Sequence, residues 1–209
     1  MFIPETKKLA FNVEILMKDN RFGQSTVLSK IDYQKIRKHQ SNSKHRLILD
    51  VAWFTGERWG CIVQLKVDDV FYSDGKVKEH ITFKASTRKA APNGERFTRQ
   101  IPTHSSLKEI LSSYCLKEVS EWLFPGATPD KHICLRTCDY LLRKAIINAG
   151  LGSKGISTHS TRRSLGTNLH RQGVGLKTIQ KIYGHKDIRT TVRYIDVSEE
   201  LIKGAIELI

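Results

Sequence analysis

The sequence predicts a mainly α-helical fold with one small antiparallel β-sheet, an α+β class. Three features predict it. Apolar residues recur at helical spacing, as in Leu47, Ile48, Val51, Ala52 and Phe54, and this spacing gathers them on one buried face. One region, VDDVFYSDGKVKEHITFKAS and its continuation, instead alternates as strands do, with turn signals at Asp74-Gly75 and Asn93-Gly94. Glycines 56, 150, 173 and 184 close helical runs, where a left-handed residue ends a helix without strain.

Taken in order, residues 1–24 read as an arm or the remnant of a linker. Ser29 caps a short helix through Tyr33 to His39. A buried helix from His45 to Thr55 stops at Gly56 and leaves Arg58 just past its end; a second short helix covers Trp59 to Leu65. Next comes a three-stranded antiparallel sheet with Lys84 near the end of its middle strand. Lys84, Arg88, Lys89, Arg96 and Arg99 crowd this hairpin, either as a solvated edge that discourages aggregation or as a basic finger on a DNA backbone. Leu107, Ile110, Leu111 and Tyr114 share a helix face, WLFPGATPDKH is a loop, and Asp139 to Ala149 is helical. A Gly-rich loop then delivers His159, followed by helices Arg162 to Arg171 and Leu176 to Tyr183 and a helical turn from Thr190 to Tyr194. The last segment, 198–209, is amphipathic through Leu201, Ile202, Ala205, Ile206 and Ile209. It needs a groove, in its own subunit or in a neighbour.

A net charge of +14 and a pI near 9.7 work against compaction and suit a polyanion. Nucleic acid comes first and an acidic membrane surface second, because the basic residues are spread along the chain instead of collected on one helix. With 39% hydrophobic residues the chain can build an ordinary core. No apolar run approaches the roughly 20 residues that span a bilayer, and the start lacks a signal-peptide core, so a cytoplasmic protein is expected. Cys61, Cys115, Cys134 and Cys138 are expected to be free thiols. His132, Cys134 and Cys138 lie close together, but the spacing is not that of a zinc finger and no second ligand pair follows. No metal and no cofactor are expected.

The residues that carry chemistry sit at loops and helix ends, where sites usually form. They are Thr55-Gly56-Glu57-Arg58, His159-Ser160-Thr161-Arg162 and the run GHKDIRTTVRY, which contains His185 and Tyr194. A phosphodiester repels anionic nucleophiles and develops charge on its non-bridging oxygens. Arginine answers both problems with a permanent charge and a planar donor fork, and two arginines on one phosphate give electrostatic stabilisation of the transition state. Histidine can donate to the phosphate or take a proton near neutral pH. A phenol of reference pKa about 10, set among such groups, can act as a nucleophile. A lysine can protonate the leaving hydroxyl. None of these steps needs a metal.

On these motifs the chain resembles the catalytic domain of the tyrosine recombinase, or phage integrase, family over about residues 25–197. Thr-Gly-x-Arg matches the family's first arginine at Arg58, His-x-x-Arg matches His159 and Arg162, Gly-His matches His185, and the nucleophile at its usual spacing is Tyr194. The hairpin lysine falls best on Lys84, with Lys89 and Arg88 as poorer fits. The resemblance implies the recombinase catalytic-domain fold and attack of Tyr194 on a DNA phosphate, leaving a 3′-phosphotyrosine and a free 5′-hydroxyl. It gives Arg58 and Arg162 the phosphorane, His185 a hydrogen bond to it, His159 proton acceptance or positioning, and Lys84 the general acid. The implied partner is double-stranded DNA, with a homotetramer on DNA, a monomer alone, no membrane, and residues 198–209 packing in trans.

The chain departs from the family in three places. Cys61 stands where an acidic residue often follows the first arginine by three positions, Tyr183 stands where leucine is common before the Gly-His pair, and residues 1–24 are too short for an N-terminal helical clamp. The last point implies a catalytic fragment of a longer protein or a naturally minimal member. Two other functions compete with strand exchange: type IB topoisomerase-like relaxation, and DNA binding on this fold without cleavage.

Overall fold

The computed structural model describes residues 24–90, 94–116, 120–197 and 199–207. The expected arm, the Asn93 half of the second turn and Ile209 lie outside the described residues. What is described is mainly helical with a small sheet, the class the sequence predicts.

Helix α1, Lys30–Lys38, starts at a capping box: the Ser29 hydroxyl accepts from the Asp32 amide at 3.0 Å, and the Asp32 carboxylate accepts from the Ser29 amide at 3.3 Å. Helix α2, Ser43–Thr55, is capped by Asn42 and buries Leu47, Ile48, Leu49, Val51 and Ala52. It stops at Gly56, whose φ is 58°. Two constraints hold glycine there: the left-handed backbone, and Leu165, which would lie 2.6 Å from an added Cβ. Helix α3, Trp59–Ile62, follows at once, so Arg58 is pinned between two helices.

The sheet is smaller than expected. Strand β1, His80–Phe83, pairs antiparallel with β2, Arg99–Pro102, with Ile81 opposite Ile101. The expected third strand shrinks to a single bridge between Phe71 and Val77. Two local structures consume its residues. Asp69 turns back to accept from the Lys66 amide at 2.9 Å, closing a turn of 3₁₀ helix over Val67–Asp69. The turn at Asp74-Gly75 then folds Tyr72 onto Lys76 at 2.8 Å.

The remaining helices are α4, Ser105–Ser112; α5, Leu135–Asn148; α6, Ser160–Arg171; α7, Leu176–Tyr183; α8, Ile188–Val192; and α9, Glu199–Ile206. Helix α2 packs along α6, and α7 packs on α8. Leu28, Ile36, Leu47, Ile62, Leu65, Ile81, Phe83 and Phe124 fill the core. The Trp59 indole donates to the Thr161 hydroxyl at 3.3 Å and so ties α3 to the start of α6. Among the described residues no helix is long and apolar enough to cross a membrane.

Tyr183 is fully buried, and its hydroxyl donates to the Arg162 carbonyl. Gly166 makes room for it: an added Cβ would lie 2.5 Å from the phenol oxygen. Gly166→Ala is therefore expected to lower unfolding stability by about 1–3 kcal/mol, the usual cost of overpacking a filled core, read as a fall in the urea midpoint at unchanged slope.

Candidate active site

Arg162 is the structural centre of the site. It lies in the first turn of α6 and is only 1% exposed, an unusual position for a permanent cation. The fold satisfies it from several directions. Nη1 donates to the Gly56 carbonyl at 2.6 Å, Nη2 donates to the Tyr183 carbonyl at 3.4 Å and to His185 Nε2 at 2.8 Å, and the guanidinium carbon stands 4.2 Å from the Tyr183 ring centroid. Burial pulls its pKa down, and the Glu57 carboxylate opposes that fall.

Glu57 is the counter-charge. It is wholly buried, and Oε2 accepts from Arg99 Nη1 at 2.6 Å with Arg88 Nε 3.4 Å away. Oε1 accepts from the Arg58 amide at 2.8 Å and lies 3.6 Å from Arg162 Nη1. Burial alone would raise the Glu57 pKa, but Arg99, Arg162, the Arg58 amide and Arg88 together hold it below the ordinary carboxylate value. Arg99, on β2, also donates to the Thr55 carbonyl at 3.2 Å, and burial lowers its pKa to about 10. Removing one partner from a buried charge cluster of this kind costs about 3–5 kcal/mol.

In front of Arg162 lies a cleft of about 470 Å³. Arg58, Arg88, Lys89, Arg96, His159 and Arg162 line it, and no carboxylate does among the described residues. Such a cavity selects for an anion. The Arg58 guanidinium makes no hydrogen bond or ion pair among the described residues, while its amide is fixed by Glu57. His159 stands at the start of α6 in the cleft wall, partly open to solvent; partial desolvation there, then the charges of Arg58 and Arg162, hold its pKa below the usual imidazole value.

His185 and Tyr194 do not line the cleft; they meet it through Arg162. Gly184, with φ 63°, ends α7, and the Gln180 amide group holds the following loop by donating to the carbonyls of His185 and Lys186, each at 2.9 Å. His185 Nδ1 faces the buried Thr191 hydroxyl at 3.0 Å. Because the arginine donates to Nε2, the proton belongs on Nδ1, which then donates to Thr191. Burial, then the charges of Arg162, Arg58 and Arg99, push the His185 pKa down to about 3. The Tyr194 ring stacks on His185 with centroids 5.7 Å apart, and the Arg162 guanidinium carbon lies 5.2 Å from the Tyr194 ring. Thr167 on α6 anchors this tyrosine by donating to its carbonyl at 3.2 Å and accepting from the Asp196 amide at 3.1 Å.

Of the residues the sequence singles out, Arg58, His159, Arg162, His185 and Tyr194 thus converge. Lys84 does not. Strand β1 ends at Phe83, and the Lys84 ammonium turns to Asp69 at 3.0 Å and Asp68 at 3.5 Å, away from the cleft lining. Lys89, five residues on, lines the cleft. Glu57 carries no expected role, and Arg99 is expected only as one of the basic residues of the hairpin, yet both lie at the heart of the charge cluster. Glu57 sits inside the Thr-Gly-x-Arg motif, but nothing in the sequence says that its side chain points inward. His132, Cys134 and Cys138 do not form a metal cluster: among the described residues no group of three or more potential ligands is close enough to hold an ion.

A helical domain with a basic cleft on a buried arginine, a histidine–tyrosine stack behind it and a lysine-bearing hairpin in front defines a class of protein. The chain belongs to the phage integrase family, whose description matches residues 26–200. It is 26% identical over 160 residues to the tyrosine recombinase XerD of Staphylococcus saprophyticus, an alignment covering 77% of this chain and 52% of that protein. It is 34% identical over 109 residues to XerD of Brucella suis, covering 49% and 35%. The chain thus spans about half the length of the first of these relatives. Its fold is similar to the XerA recombinase crystal structure, with a TM-score of 0.70 at 20% identity over 88% of this chain and 65% of that one. It is also similar to a lambda integrase dimer bound to a COC′ core site, with a TM-score of 0.65 at 21% identity over 85% and 49%.

The depressed His185 pKa sets a pH dependence. The folded protein holds this imidazole neutral, so its contribution is fully present above the ordinary value of 6.5 and is lost as pH falls toward about 3, because the unfolded chain takes up a proton that the folded one refuses. The stability of the wild type is expected to drop between about pH 6.5 and about pH 4.5 more steeply than that of His185→Asn, compared through urea midpoints; parallel profiles would contradict the assignment.

Proposed function

We propose that this chain is the catalytic part of a site-specific DNA recombinase that cuts and rejoins strands through a 3′-phosphotyrosyl intermediate. One observation carries the reading: a single buried guanidinium, Arg162, joins the basic cleft to Tyr194 of the same chain. Membership of the family and the likeness to recombinases, one of them bound to its core site, support it, as does the net charge of +14.

In this reading the scissile phosphate enters the cleft and its non-bridging oxygens take donors from Arg58 and Arg162. Arg162 then releases His185 Nε2; the neutral imidazole moves its proton from Nδ1 to Nε2, where it donates to the phosphate, and the Thr191 hydroxyl turns to donate to Nδ1. The Tyr194 oxygen attacks phosphorus while its proton passes to His159, whose lowered pKa keeps it unprotonated and able to accept. The bond from phosphorus to the 5′ oxygen breaks, and the departing alkoxide takes a proton from a lysine. We assign that lysine to Lys89, which lines the cleft, instead of Lys84, whose ammonium is held by Asp69 and whose pKa that hydrogen bond raises. Rejoining reverses each transfer: a 5′-hydroxyl attacks the phosphotyrosine, gives its proton to Lys89, and the phenolate leaves.

Helix α9 exposes Ile202 and Ile206. We assign this apolar face to packing on a neighbouring copy in a DNA-bound tetramer, with residues 25–197 as the catalytic unit.

Incubation with a nicked duplex library should yield a protein–DNA adduct that resists denaturation, and Tyr194→Phe should abolish it. An adduct that persists in Tyr194→Phe would overturn the assignment. Relaxation of supercoiled plasmid lacking any cleaved site would point to topoisomerase-like chemistry instead. On a duplex that is cleaved, Lys89→Ala should slow adduct formation about 100-fold or more, the usual loss of a general acid, and Lys84→Ala should leave it near wild type. A sulfur in place of the bridging 5′ oxygen should rescue Lys89→Ala, because a thiolate leaves without a proton.

A further inference from the structure

The Thr-Gly-x-Arg motif holds a charge whose function the proposed reaction does not use. Arg88, Arg99 and Arg162 are all buried, at 8%, 6% and 1% exposure, and Glu57 is the buried carboxylate that faces them. Its two oxygens divide the task. Oε2 meets Arg99 and Arg88, which belong to the sheet and its hairpin; Oε1 meets the Arg58 amide and Arg162. The carboxylate therefore couples the hairpin to both arginines expected to grip the phosphate. Arg99 does not line the cleft, and among the described residues its guanidinium donates to Glu57 and to the Thr55 carbonyl. It closes the back of the cluster.

We propose that Glu57 is a positioning residue, which orients Arg162 and Arg88 at the cleft wall and stands in for an acid at position 61, where this chain has cysteine. The geometry of Cys61 supports the exchange. Its thiol lines the cleft, donates to the Thr87 carbonyl at 3.3 Å and lies within the electrostatic reach of Glu57, Arg58, Arg88 and Arg162. A carboxylate at position 61 would meet the arginines that Glu57 holds, from the cleft side. The physical need is preorganisation. Without a carboxylate, three guanidiniums repel one another in a medium that screens poorly, and Arg162 loses a fixed orientation before any phosphate arrives. This inference rests on the proposed phosphoryl-transfer reading for its kinetic consequence, but not for its structural one.

The test uses the full chain and the variants Glu57→Gln, Glu57→Asp and Glu57→Gln/Cys61→Asp. Glutamine keeps the shape and the acceptor for the Arg58 amide and removes only the charge. The first readout is the set of side-chain Nε–H signals of Arg88, Arg99 and Arg162 by NMR, with backbone amides reporting the fold. The second is the rate of adduct formation on a cleaved duplex, beside the Kd for that duplex. Glu57→Gln should keep the backbone spectrum and lose the ordered arginine signals. It should cut the adduct rate about 100-fold, the scale of a lost transition-state donor, with Kd little changed. Cys61→Asp should restore both signals and rate. Glu57→Asp, which keeps the charge but withdraws it by one methylene, reads out the same displacement if Glu57→Gln unfolds. Unchanged arginine signals, a wild-type adduct rate, or no recovery in the double variant would each overturn the proposal. If the wild type forms no adduct on any duplex, the recombinase reading fails, and the arginine signals alone decide the role of Glu57.

Discussion

A guanidinium buried to 1% exposure must be satisfied by the structure around it, and the arrangement of this molecule follows from that requirement at Arg162. The Gly56 carbonyl reaches Arg162 because α2 ends there in a left-handed residue: its N–H still donates to the Ala52 carbonyl, but its own carbonyl turns out of the helix. The Tyr183 carbonyl reaches it because α7 ends one residue later, at Gly184. The Tyr183 ring lies against the guanidinium because Gly166 leaves space for it. Two helix C-termini, each presenting carbonyls without helical partners, thus converge on one cation. That is a favourable electrostatic arrangement, since C-terminal carbonyls carry the negative end of the helix dipole.

The same requirement explains why the hairpin belongs to the site. Arg88 bridges it internally by donating to the Phe97 carbonyl at 2.8 Å, and reaches the Tyr183 carbonyl at 3.4 Å. Lys186 pairs with Glu95 and stands 4.4 Å over the Phe97 ring. The hairpin is therefore fastened to the loop that carries His185. A basic finger that the sequence could read as a solvated edge becomes one wall of the cleft, and Lys89 comes with it.

Much of the fold was legible because it depends on local patterns. Helix α7 lies at the bounds the periodicity predicts, and α1, α2, α5 and α6 differ at their ends by a few residues, where caps and fraying decide. The expected third strand is reduced to one bridge because local turn chemistry outweighs the alternating pattern there. Asp69 and the Asp74-Gly75 turn satisfy their own backbone locally and leave a single bridge. Lys84 is the residue on which the family's hairpin lysine falls best, but its place just past a strand fixes the position of the residue and not the direction of a flexible side chain. Asp69 decided that direction.

The sequence by itself determined the chemical inventory and its order: an arginine after a helix stop, a histidine and arginine opening another helix, and a Gly-His pair with a tyrosine nine residues after the histidine. Spacing along one helix or loop carries such information, because local backbone geometry turns it directly into position. Tertiary structure alone decided which charges face one another. Glu57 and Arg99 are 42 residues apart and touch at 2.6 Å, and Lys89 rather than Lys84 lines the cleft with Arg58. Burial and long-range packing set those pairings, and in a chain this rich in arginine and lysine the sequence offers many partners for each acid and no local rule for choosing among them.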